Sequence, residues 1–113
     1  MEIDDIREYC LSMPGTSEGM KWGEHLTFMV GGKIFSVFGM DQTPINASFK
    51  VSNEDFETMS EMDGMKPAPY FAKNIWIAVD DIGRISEIEW KRLLTEGYEL
   101  VKAKLPQKIQ DNL

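Results

Sequence analysis

Leu26-Thr27-Phe28-Met29-Val30-Gly31-Gly32-Lys33-Ile34-Phe35-Ser36-Val37-Phe38 is the stretch whose reading decides the fold. Two short runs rich in β-branched and aromatic residues, 26–30 and 34–38, flank Gly31-Gly32-Lys33. Such runs read as strands. Glycines supply the positive φ angles a tight hairpin needs. Alternation places Leu26, Phe28 and Val30 on one face of the first strand. In the second it leaves two sets open: Phe35 with Val37, or Ile34 with Ser36 and Phe38. A phosphate loop is a poor reading of Gly31-Gly32-Lys33, because GxxxxGK[ST] spacing is absent. A hairpin turn that can project toward a partner, with Lys33 at its tip, fits better.

Working outward, Ile45, Ala47, Phe49 and Val51 alternate with Asn46, Ser48 and Lys50. This predicts a half-buried third strand over 45–51 with Lys50 on its exposed side. Asn53 reads as the cap of a short helix over 54–61. Residues 62–70 form a turn-rich crossing ending in Lys66-Pro67-Ala68-Pro69-Tyr70. A fourth strand at 74–79 puts Trp76 on a face with Ala78, or Ile75 with Ile77 and Val79. Residues 3–13 repeat apolar side chains at helical spacing, with Glu2, Asp5 and Glu8 outward and acids at the positive helix start. Pro14-Gly15 ends that helix.

Ser86 and Glu89 match a capping box ahead of a last helix. Its stripe is Trp90, Leu94, Tyr98, Val101 and Leu105. Gly97 marks a kink or break in it, and Pro106 ends it. The predicted order is αβββαβα. Hairpins with flanking helices are more economical as α+β than as parallel α/β, so the expected fold class is an antiparallel sheet flanked by helices.

The chain has 113 residues, 42% of them hydrophobic, and a net charge of -7. That length suits one domain, read here as residues 1–113. No apolar run approaches the ~20 residues a membrane helix needs, and the acidic start lacks a signal-peptide design. The expectation is a cytoplasmic protein without a membrane partner. Acidity argues against indiscriminate adhesion to nucleic acid. The charge is uneven, however. Residues 1–64 hold twelve acidic and four basic side chains, whereas residues 65–113 hold seven acidic and eight basic. A local basic surface therefore remains available, and Lys102, Lys104 and Lys108 are its densest group.

No catalytic constellation, cofactor motif or metal-ligand set stands out. Cys10 is the one cysteine and His25 the one histidine, too few for a closed zinc site. Cys10 reads as a small core residue. The dispersed acids match no calcium loop. His25, near Glu24 and Glu18, is the sole candidate base of a small-molecule enzyme, with no nucleophile beside it in sequence. The reading favours a non-catalytic protein. Trp22, Lys33, Lys50, Tyr70, Lys73 and Trp76 interleave flat rings with positive charge, a combination that holds bases and phosphates. The same rings can equally fill a core.

The ordered motifs Pro14-Gly15-Thr16 with Glu18, Trp22-Gly23 with His25, and Phe28-x-Val30-Gly31-x-Lys33-x-Phe35 resemble the MmcQ/YjbR family. Pro67-Ala68-Pro69-Tyr70, Ala72-Lys73 and Trp76, then Tyr98 and Ala103-Lys104-Leu105-Pro106, continue the match. The resemblance covers about residues 3–110. It implies a frataxin-like, double-wing α+β fold and a DNA-binding surface, with no catalytic centre to carry over. The candidate nucleic-acid residues are Trp22, Lys33, Lys50, Tyr70, Lys73 and Trp76, supported by Lys102, Lys104 and Lys108. Gln107 stands where relatives look more basic, and Met13 replaces the common leucine before Pro-Gly. The alternative partner is a protein recognised through the acidic first part, at Asp4, Asp5 and Glu8.

Overall fold

The computed structural model describes residues 1–68 and 75–113. Helix α1 (Ile3–Ser12) leads into strands β1 (Thr16–Lys21), β2 (His25–Val30), β3 (Lys33–Gly39) and β4 (Asn46–Lys50). Helix α2 (Asn53–Met59), β5 (Met65–Pro67) and β6 (Trp76–Val79) follow. A 3-10 turn (Ile82–Arg84), α3 (Glu87–Lys102) and the short α4 (Gln107–Gln110) complete the chain. Every strand pairing is antiparallel, in the order β1-β2-β3-β4-β6-β5. The fold is an α+β arrangement of an antiparallel sheet flanked by helices. Among the described residues no helix is long and apolar enough to cross a membrane.

The predicted hairpin is β2–β3, with Gly31 and Gly32 both at positive φ. Its open question of facing is resolved by a register shift. Phe28 pairs with Ser36 and Met29 with Ile34, so Phe35 is an extra residue in β3. A bulge of this kind breaks the two-residue alternation. Phe35, Ser36 and Phe38 are consequently all buried toward the helices, while Ile34 and Val37 lie on the opposite face with Trp76. Neither alternating set survives intact.

One side of the hairpin turn is covered at Gly31, while Gly32 and Lys33 stay exposed. A Cβ at Gly31 would lie 2.6 Å from Leu105 and 3.2 Å from Ile109. The turn packs beneath the C-terminal segment. Two strands were missing from the predicted order. Thr16–Lys21 is a polar edge strand carrying Gly19, and Met65–Pro67 is a three-residue edge strand containing a proline. Edge strands need little β-propensity, because one neighbour and half a face suffice. The cap of α2 is Ser52, whose hydroxyl accepts from Asp55 N–H at 3.2 Å, not Asn53.

Helix α3 lies across the sheet and organises the core. Trp90 stacks against Phe38 and Phe49, with centroids 5.7 and 5.2 Å away, and donates its indole N–H to the Ile82 carbonyl at 2.9 Å. Tyr98 meets Phe35 edge-on and donates its hydroxyl to the Pro14 carbonyl. Ser86 caps the helix by accepting from Glu89 N–H at 3.2 Å. The Glu89 carboxylate does not return to the cap. It accepts from Arg92, which also holds Asp55 of α2 and Glu96. The Arg92 guanidinium keeps the Asp55 carboxyl below its ordinary range.

Gly97 does not break α3, which is one continuous helix. A Cβ there would sit 2.9 Å from the Lys50 carbonyl oxygen. The glycine exists for close approach, and its low helix propensity is the cost. Replacing Gly97 with alanine should therefore lower stability by about 1–2 kcal/mol, despite the ~1 kcal/mol that alanine gains in an open helix. Urea unfolding checks this, and an increase in stability would contradict the close-approach role.

Candidate nucleic-acid interface

The approach of α3 to β4 builds a recess at one end of the sheet. Lys33 begins β3 immediately after the hairpin turn, and Lys50 ends β4. Trp76 opposes Lys50 across the β4–β6 pair. Lys104 follows the C-terminus of α3. All four line a cavity of about 320 Å³, walled by apolar side chains including Ile34, Leu100 and Pro106.

Lys50 is the correction with most consequence. Strand alternation predicts it exposed, yet it is only 7% accessible. The polar phase of β4 is covered at this end by the last turn of α3 and the segment after it. Among the described residues the Lys50 ammonium makes no ion pair or hydrogen bond. Burial, and then repulsion from nearby Lys104, push its pKa below the ordinary lysine value. Desolvating a lysine without a counter-charge has a cost that a bound anion would offset.

Trp76 is also corrected. It is 4% exposed and clusters with Val37 and Ala68, so it is a wall and not a stacking platform. Trp22 is 63% exposed but stands apart from the lysines. It borders a larger cavity at the other end of the same face, together with His25 and Asn46. Asn46 lies four residues before Lys50 on β4, about 13 Å along the strand. Lys102 is half-buried, its ammonium 5.7 Å from the Tyr98 ring centre. Lys108 is exposed on α4. Neither lines the recess. Tyr70 and Lys73 lie outside the described residues. The structure thus brings together Lys33, Lys50 and Lys104, with Trp76 behind them. Sequence reasoning missed Leu100 and Pro106 as walls, and the signal available was Gly97.

The larger cavity, about 920 Å³, also includes Ser48, Lys66 and Asp80. Trp22 has φ 50°, an unusual value for an aromatic residue. His25 Nδ1 lies 3.0 Å from the Trp22 carbonyl. A carbonyl only accepts, so Nδ1 carries the proton and Nε2 of the neutral ring keeps its lone pair. Cys10 is on the opposite, helix-covered side of the sheet, and burial raises its thiol pKa to about 12. It cannot serve His25 as a nucleophile. Among the described residues no three His, Cys, Asp or Glu side chains gather to hold a metal ion. On the acidic first helix, Asp5 accepts from Glu2 N–H at 3.2 Å, so this carboxylate has a capping role. Glu18 is held by Arg7 through contacts of 2.6 and 3.0 Å.

The YjbR family model matches residues 11–100, most of the chain. The chain belongs to the YjbR family. The crystal structure of Deinococcus radiodurans protein DR2400, with a DUF419 domain, is similar at TM-score 0.86 and 25% identity, covering 96% of this chain and 85% of that one. A crystal structure of a Pseudomonas syringae protein is similar at TM-score 0.69 and 17% identity, covering 88% and 98%. No curated protein matches the chain. The family match includes Lys33, Lys50 and Trp76 and ends before Lys104, so one cation of this YjbR recess comes from beyond it.

The depressed Lys50 pKa has a sign that can be tested. Protonating Lys50 is harder in the folded than in the unfolded chain, so the folded state carries a penalty at neutral pH. That penalty is relieved as pH rises through the folded pKa toward the unfolded value near 10.5. Lys50→Met keeps the stem and removes the charge. It should raise the urea midpoint at pH 7, with the gain shrinking at alkaline pH. A lowered midpoint would mean that Lys50 has a compensating partner in the fold.

Proposed function

We propose that this YjbR-family chain is a non-catalytic DNA-binding protein that uses Lys33, Lys50 and Lys104 as phosphate contacts. The single observation behind this reading is the convergence of three lysines on one recess, with Lys50 only 7% accessible and without an anionic partner among the described residues. In a double-wing reading of the fold, the β2–β3 hairpin is a wing, and Lys33 stands beside its turn. Lys102 and Lys108 add positive charge along the neighbouring C-terminal segment. Lys73 and Tyr70 belong to the same proposed surface by sequence. A cytoplasmic setting is consistent with such a partner.

Binding of this kind releases counterions and weakens as salt rises. Fluorescence anisotropy at low salt should show DNA binding with a log–log salt slope of about -2 to -3, the value for roughly three lysine–phosphate ion pairs. The double variant Lys50→Gln/Lys104→Gln should lose about tenfold or more in affinity, since ~1.4 kcal/mol is one decade. Absence of binding at low salt, or full binding by the double variant, would refute the proposal.

A second reading is supported by His25, which lines the larger cavity beside exposed Trp22 and holds the Trp22 carbonyl through Nδ1, leaving Nε2 as an acceptor. A small molecule with an N–H or O–H donor would meet that lone pair, and His25 would then act as a base or an acceptor. NMR of the His25 ring during a fragment screen tests this. Ligand-induced shifts that vanish in Trp22→Ala support it, and a silent ring sets it aside.

A further inference from the structure

Resting on the DNA-binding reading, we propose that the Lys33–Lys50–Lys104 recess takes the terminal phosphomonoester of a strand, not an internal phosphodiester.

Four observations lead there. First, Lys50 is more than nine-tenths buried, lines the recess and has no anionic partner among the described residues. An anion in the recess would meet it. A terminal phosphate can enter as the end of a chain, whereas an internal diester brings a sugar on each side.

Second, the charges match. Three lysines line one cavity of about 320 Å³. A phosphomonoester carries about -1.5 to -2 at neutral pH and offers three terminal oxygens. A diester carries a single charge on two such oxygens.

Third, outside the recess and beyond Lys102 and Lys108 on the adjoining C-terminal segment, most cations among the described residues are already engaged by acids. Arg7, Arg84 and Arg92 are each held by acidic side chains, and Lys91 faces Glu87 at 3.7 Å. Lys66 belongs to the other cavity. A duplex or long strand lying along the molecule would meet a surface with net charge -7. An end inserted at one point avoids most of that repulsion.

Fourth, the walls beside the lysines are apolar, from Ile34, Leu100 and Pro106. They suit the sugar face of a last nucleotide and suit a fully hydrated backbone poorly.

The test uses the full chain and internally labelled single strands of one sequence, bearing a 5′-phosphate, a 3′-phosphate or hydroxyls at both ends. Anisotropy should show one phosphorylated strand binding about tenfold tighter than the hydroxyl strand, a difference of ~1.4 kcal/mol. Which end wins identifies the polarity. Lys50→Met, checked for folding by urea titration, should erase the preference, and phenyl phosphate should compete with the phosphorylated strand. Equal, salt-sensitive binding of all three strands overturns end recognition and leaves the DNA reading standing. No binding by any strand overturns both. A preference that persists in Lys50→Met places the phosphate elsewhere and overturns the assignment to this recess.

Discussion

The close passage of α3 over the end of β4, at Gly97, is the contact on which the rest depends. With no Cβ at Gly97, the helix backbone comes down onto the Lys50 carbonyl. Trp90 and Tyr98, on the same helix, then reach the aromatic side chains of β3 and β4. The same approach carries Leu100 and the segment after Lys102 over the strand ends. Core packing and the lysine recess are therefore consequences of one geometric requirement. Close-packed interiors tolerate little adjustment at such points.

The charge distribution follows a division of labour. The arginines are tied to carboxylates that hold elements together: Arg7 to Glu18, Arg84 to Asp80, and Arg92 to Asp55, Glu89 and Glu96. Planar guanidinium groups suit such forked contacts. Among the described residues the three lysines of the recess form no ion pair with an acid. An acidic protein thereby keeps a small concavity lined by three lysines and no acid among the described residues. Partial desolvation of Lys50 beside Lys104 lowers its pKa and opposes folding at neutral pH.

Much of the architecture was legible in the sequence because it rests on local signals. The β2–β3 hairpin, β4, β6 and the span of α3 follow from alternation, paired glycines and a helical apolar stripe. Edge strands β1 and β5 were not legible, since their stability comes from one neighbour and not from their own composition. The facing of β3 was not legible either, because the bulge at Phe35 appears only when β2 is paired beside it. The candidate site divides in the same way. Lys33, Lys50, Lys104 and Trp76 were all singled out by residue type, but with Trp22, Lys102 and Lys108 beside them, which the fold places outside the recess.

By itself, then, the sequence determined the α+β class, the order of the main elements and the residues able to meet a phosphate. Periodicity, turn chemistry and side-chain charge are properties of neighbours along the chain. Only the tertiary structure decided that Gly97 joins a helix to a strand and that Trp76 is a wall. It also decided that Lys50 is buried beside Lys104. Those facts depend on which surfaces lie against each other, and Gly97 and Lys50 are 47 positions apart in the chain.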